Sequence, residues 1–248
     1  MTPQKLLSFI LLATTGLSAS AQESSTAAPL QPGTYVLQMA VATQADVVVL
    51  GKVDNVTQQL LLATVSERDG GLWQHQELCN IRMETSTRVG RPRLPYSFQR
   101  TIPTREFPVT LTPDGDGWSY MADLGQHRAG WDPTKTSVMP EERDHPALVD
   151  SDGDGKPAVT IHLEVPLFGL IELYVVQDVQ TKLVGRVGED GGVTGRAELA
   201  RLEQRAVGAS NPLFASTPKA VPDPALSPFS LERIEDGATC EALKSRYW

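Results

Sequence analysis

Alternation of side-chain character with a period of two constrains this chain more than any other feature. Tyr35, Leu37, Met39 and Val41 are spaced by single residues that face the other way, and Val159–Val165 and Leu170–Val176 repeat the pattern. Successive side chains of an extended strand point to opposite faces, so such runs suit half-buried β-strands. Val47-Val48-Val49-Leu50, Val56–Val65, Leu72–Met83 and Phe107–Leu111 add β-branched or apolar segments of strand length. Between them stand turn formers: Asp69-Gly70-Gly71, Asp114-Gly115-Asp116-Gly117 and Gly188-Glu189-Asp190-Gly191-Gly192. Asp-Gly and Gly-Gly tolerate positive φ and close tight hairpins.

Residues 196–206, RAELARLEQRA, consist largely of helix formers. They follow a Gly-Gly hairpin directly, which favours a further strand. The expected architecture is all-β: one antiparallel β-barrel or β-sandwich domain of roughly ten strands over residues 33–207, with long irregular loops. Pro92, Pro95 and Pro103 make residues 86–104 read as a long exposed loop, and residues 125–156 read as a second irregular stretch. Five prolines between 212 and 228 predict an extended coil there, within a Pro-rich tail over residues 208–248. An outer-membrane barrel fits poorly. Lys244 and Arg246 would share a face with Trp248, and aromatics, at 6 % of the chain, are few for two interfacial girdles.

Residues 1–21 have the layout of a secretory signal peptide. Lys5 precedes an apolar run from Leu6 to Leu12 that fades towards Leu17, and Ala19-Ser20-Ala21 places cleavage before Gln22. The run is shorter than the ~20 residues a membrane-spanning helix needs. A flexible lead over 22–32 and an exported, periplasmic or extracellular, bacterial protein without a transmembrane segment after processing are expected. In an oxidising compartment the two cysteines, Cys79 and Cys240, are expected to pair and tie the tail to the domain.

The charge balance narrows the partners. Lys and Arg total 22 against 30 Asp and Glu, a net charge of −8, which offers no general footprint for nucleic acid. His75, His127, His145 and His162 show no metal-ligand spacing, and two cysteines cannot build a Cys-only zinc site. No Gly-x-Ser-x-Gly elbow and no Gly-rich phosphate loop occurs.

Asp150-Ser151-Asp152-Gly153-Asp154-Gly155-Lys156 is the sharpest motif. Three carboxylates at alternate positions, folded back by glycines, can converge on a hard cation that prefers six to eight oxygens. Over these seven residues the chain resembles the Asp-x-Asp-x-Asp-Gly calcium loop of EF-hand, dockerin and thrombospondin type 3 modules. The resemblance implies Ca²⁺ held by Asp150, Asp152, Asp154 and the Lys156 carbonyl. It stops there: Ile161 stands where an EF-hand has its bidentate Glu, and a strand pattern follows in place of a helix. A distal acid would come from Glu141, Glu142 or Asp144 just upstream, with Glu164 as a further candidate. A plain solvated acidic turn is the competing reading.

A second, weaker constellation is Arg88, Arg91, Arg93, Arg100 and Arg105 with Tyr96 and Phe98 interleaved. Guanidinium groups form paired hydrogen bonds to carboxylate or phosphate, so this stretch could hold an anion; pairing with the protein's own acids is the simpler expectation. Together these features predict an exported, calcium-stabilised, non-catalytic protein with a binding or cell-envelope role and an unidentified small-molecule or envelope partner. A closed sheet could hold a small apolar ligand in its interior. The alternative is an exported hydrolase acting on polysaccharide or ester substrates through a carboxylate pair.

Overall fold

The computed structural model describes residues 30–47, 51–216 and 219–248. The segment read as a signal peptide, most of the expected lead and Val48-Val49-Leu50 lie outside these described residues. The chain is predominantly antiparallel sheet. In order it forms β1 (Gly33–Val47), β2 (Gly51–Arg68), β3 (Gly71–Thr85), β4 (Arg91–Arg93), α1 (Tyr96–Thr101), β5 (Arg105–Asp114) and β6 (Gly117–Ala129). Then come β7 (Val159–Val165), β8 (Gly169–Val187), β9 (Val193–Ala209), β10 (Ala220–Pro222), β11 (Pro228–Arg233) and α2 (Cys240–Tyr247).

The hairpin signals act where the sequence placed them. Asp69 and Gly70, at φ 54° and 73°, close β2 onto β3, and the mirror-image turn they form matches the twist of the flanking strands. Asp114 pairs with Gly117 across the β5–β6 turn, and Val187 with Val193 across the β8–β9 turn. Residues 196–206 are strand, as the preceding hairpin suggests.

Long-range pairing closes the eleven-stranded sheet. Strands β6, β5, β3, β2, β1, β11, β9 and β8 follow one another, and β8 returns to β6, completing a ring. The first half of β8 pairs with β7, whose Leu163 is matched to Pro92 of β4. Along β1, β11 covers Tyr35–Met39 and β10 covers Thr43–Ala45. The sheet thus extends past residue 207 into the segment read as a tail: Pro228–Arg233 bridges β1 and β9 and carries Phe229 and Leu231 into the core. Its Pro228 sits at the first strand position, where a missing amide is tolerated.

Residues 86–104 also differ from the exposed loop expected of them. They contain β4 and α1, and Phe98 is buried against Ala129 and Val159. Prolines broke the ladder locally without keeping the segment off the body, because its apolar residues had a face to cover. On the opposite outer face, α2 packs Leu243 against Val36, Leu60 and Cys79, and Cys79 is disulfide-bonded to Cys240. The expected pairing of the two cysteines is present.

Candidate functional site

The inward faces of the strands divide the ring into a filled end and a hollow one. Tyr35, Leu37, Phe107, Tyr120, Leu183, Phe229 and Leu231 fill one end. Within that packing the Tyr120 hydroxyl donates to Gln74 Oε1 at 2.6 Å. Further along the same strands the inward residues become smaller: Val41, Thr43 and Ala45 on β1, Val53, Asn55 and Thr57 on β2, Val159 and Val175 on β7 and β8. They enclose a cavity of about 900 Å³. That is at the upper end of the ~300–1,000 Å³ usual for small-molecule sites.

Bulges keep the wall apolar over this length. Between Leu60 and Leu61 the β2–β3 register shifts, so β3 faces the interior through Gln76 and Leu78 and then through Ile81 and Met83. Cys79, after the inward Leu78, faces outwards to its disulfide, and the extra residue turns Ile81 and Met83 inwards in place of Asn80 and Arg82. A shift opposite Gln180/Thr181 does the same on β9, where Leu199 and Leu202 both line the cavity. The residue 86–104 segment supplies Leu94, Phe98 and Ile102, and Leu213 and Phe214 complete the lining from the Pro212–Phe214 3₁₀ turn. Beside Phe214, the exposed ring of Phe168 makes an edge contact at 5.3 Å, and Leu167 and Leu213 are fully or largely exposed. The cavity therefore carries an apolar rim at this position.

Neutral polar side chains such as Thr43, Asn55, Thr57, Gln59, Gln177 and Gln204 are interspersed in the wall, while Arg105 and His127 come together at one place. Gln76 and Arg105 are directly opposite across β3 and β5, and both line the cavity. His127 of β6 is close enough for the Arg105 charge to act on it; burial first, and that charge second, lower its imidazole to about 4. Among the described lining residues Asp46 is the only carboxylate, so no carboxylate pair is assembled there.

The acidic loop lies beside the start of β7. Gly153 and Gly155, at φ 69° and 80°, fold it back. Asp150 Oδ1 accepts the Gly153 and Asp154 amides at 2.7 and 3.2 Å, and Oδ2 accepts the Gly155 amide at 2.8 Å. Burial pushes the Asp150 carboxyl up, but these amides outweigh it and hold it below the usual carboxylate range. Asp154 Oδ2 accepts the Thr160 hydroxyl at 2.6 Å, and Asp152 Oδ2 accepts the Thr160 amide at 3.2 Å. Asp152 Oδ1, by contrast, is buried without a partner. Burial raises that carboxyl, and the neighbouring Asp154 charge adds to the rise.

Asp150, Asp152 and Asp154 each direct an oxygen into a group whose members lie within 4.8 Å of one another. Two oxygens on opposite sides of one Ca²⁺, each at about 2.4 Å, would be ~4.8 Å apart, so the three fit a single ion. Glu142 and Asp144 are exposed and are not members of the group. Glu141 pairs with Arg205, and Glu164 with Arg93 at 3.0 Å. Lys156 directs its ammonium to Glu172, with Asp154 Oδ2 at 3.8 Å.

The arginine stretch is dispersed. Arg88, Arg91 and Arg93 are exposed on the outside, and the Arg100 side chain lies outside the described residues. Of the four whose side chains are described, Arg105 lines the cavity. Sequence reading included Arg105 in the stretch but could not single it out. Its signal was its phase: it alternates with Phe107 and Val109, the inward residues of β5.

No known protein family, curated protein or solved structure matches this chain. The fold and the residues define an all-β protein with one disulfide, a hollow closed sheet and an acidic cluster able to hold a metal ion. Among the described residues no helix is long and apolar enough to cross a membrane.

Proposed function

We propose that this is an exported, non-catalytic binding protein that carries an apolar small molecule inside its closed sheet. The observation that supports this most directly is the cavity of about 900 Å³ walled by Met39, Val41, Leu61, Leu78, Ile81 and Met83. An apolar space of this size gives up little by admitting a hydrocarbon, and about 25 cal/mol is gained for each Å² of ligand surface removed from water. The disulfide and the leader-like first 21 residues support an oxidising, exported location.

Ca²⁺ at Asp150, Asp152 and Asp154 belongs to the same reading. The unpartnered, buried Asp152 Oδ1 is the feature that fits a cation best, since a lone buried carboxylate oxygen is costly. Thr160, held by two of these aspartates, lies between Val159 and Ile161, both of which line the cavity. The ion would thereby fasten one wall of the binding space.

The test is equilibrium binding of an uncharged fluorescent probe, N-phenyl-1-naphthylamine, displaced by dodecanol. One saturable site is expected, weakened at least about tenfold in Leu78→Trp, whose added ring would occupy the space. Unsaturable binding, or binding indifferent to Leu78→Trp in a folded protein, would overturn the reading.

A further inference from the structure

Arg105 is a cation in an apolar wall. Among the described residues no carboxylate pairs with it and no side-chain hydrogen bond reaches it. Burial pulls its guanidinium down from the ordinary arginine value, with no opposing acid to raise it. The side chain is half-buried, and taking such a charge even partly out of water without compensation is unfavourable; a guanidinium turned into a cavity wall suits a planar anion.

A second group points the same way. Gln76 is 4 % exposed, lines the cavity, and its Nε2 makes no hydrogen bond. A buried amide donor left unmade is costly, so its position calls for an acceptor. Gln76 is the cross-strand partner of Arg105, which puts their Cβ atoms about 5 Å apart. His127, neutral near pH 7 with its imidazole at about 4, completes a donor-rich corner.

The corner marks the level where packing gives way to space. Phe107, the next inward residue on β5, and Ala63, the partner of Gln76 on β2, both belong to the packed core. From there the wall runs through Leu61, Leu78, Ile81 and Met83. The shape is a charged corner with an apolar flank on β3, bordered on β2 by Gln59 and Thr57.

We propose that the ligand is a single-chain amphiphile with a carboxylate head, bound with the head at Arg105, Gln76 and His127 and its hydrocarbon along the upper wall. This rests on the binding reading above and adds the head group and its orientation to it. The carboxylate accepts two hydrogen bonds from the guanidinium and one from the Gln76 amide, which supplies the acceptors that both groups lack.

The experiment is competition against N-phenyl-1-naphthylamine with three ligands of equal chain length, all below their micellar concentrations: dodecanoate, dodecanol and dodecyltrimethylammonium. Dodecanoate is expected to displace the probe at a concentration at least about tenfold lower than dodecanol, and the cationic ligand worst of all. Arg105→Met should abolish the preference for dodecanoate while leaving dodecanol unchanged, Gln76→Leu should reduce it, and Arg105→Lys should retain part of it. Equal displacement by dodecanoate and dodecanol in the wild type, or a preference that survives in Arg105→Met, overturns the head-group assignment while the apolar-binding reading stands. Failure of the probe and all three ligands to bind overturns both. The wild-type comparison decides even if a variant does not fold, which thermal unfolding of each variant will show.

Discussion

Gly185 of β8 and Gly195 of β9 face each other directly across the strand pair, and the Phe229 ring of β11 packs against both. A Cβ built on Gly195 would lie 2.2 Å from the Val184 carbonyl oxygen and 2.7 Å from the Phe229 ring. The two strands come this close because neither carries a side chain at the crossing, and the aromatic ring occupies the space released. This is where the segment at Pro228–Arg233 is accepted between β1 and β9.

Gly195→Ala should therefore destabilise the fold by at least about 1–3 kcal/mol, the usual cost of overpacking. Urea unfolding should show a lower midpoint at unchanged slope. An unchanged midpoint would mean that the strands separate there freely.

The disulfide closes a loop of 161 residues and fastens α2 over β2 and β3. Replacing Cys79 and Cys240 together by Ala should cost up to about 5 kcal/mol on chain-entropy grounds. Amide exchange in the double variant should be accelerated first in α2, whose buried contact is Leu243.

Millimolar Ca²⁺ should raise the unfolding midpoint by several degrees and EDTA should reverse it; a ligand at 100 times its Kd adds about 2.7 kcal/mol. Asp152→Asn with Asp154→Asn should remove the response. Mg²⁺ should act more weakly, because it favours a smaller, strictly octahedral shell. Equal melting in all three buffers would leave Asp150–Asp154 as an acidic turn without an ion.

His127 gives the fold an acid-sensitive component. Its pKa is lowered from 6.5 to about 4, by burial and then by Arg105. The unfolded chain takes up the proton below about 6.5 while the folded one resists it until about 4, so stability falls as pH drops through that window. His127→Gln should lack this component. The difference in melting temperature between wild type and His127→Gln, measured from pH 7 to pH 4, should change by a few degrees. A constant difference would show that the imidazole reaches water in the folded state.

Much of this protein is determined by its sequence alone. Alternation identified the strands, Asp-Gly and Gly-Gly identified the hairpins, and the context of residues 196–206 outweighed their helical composition. The cysteine pair was legible because two thiols in an oxidising compartment have few alternatives. These are local properties, or a choice of one. The carboxylates Asp150, Asp152 and Asp154 were legible for the same reason, since their convergence needs only the local turns at Gly153 and Gly155. A partner for them from Glu142 or Asp144 required distant geometry, and those residues lie outside the cluster.

Only the tertiary structure decided what the strands enclose. Closure depends on β8 returning to β6 and on β11 joining β1 to β9, pairings between segments far apart that hairpin signals do not encode. The prolines of residues 86–104 announced a broken ladder, yet burial of Phe98 drew that segment onto the body, and the coil expected over 212–228 gives way at Pro228 to a strand that carries Phe229 into the core. The cavity follows from a comparison across strands: Tyr35, Phe107, Tyr120 and Phe229 fill one level of the ring, while Thr43, Ala45, Thr57 and Val175 leave the next one open. Side-chain volume at a given height in a closed sheet is a sum over eight strands, and a single strand read in isolation does not contain it. For the same reason Arg105 looked like one arginine among five until the fold set it opposite Gln76.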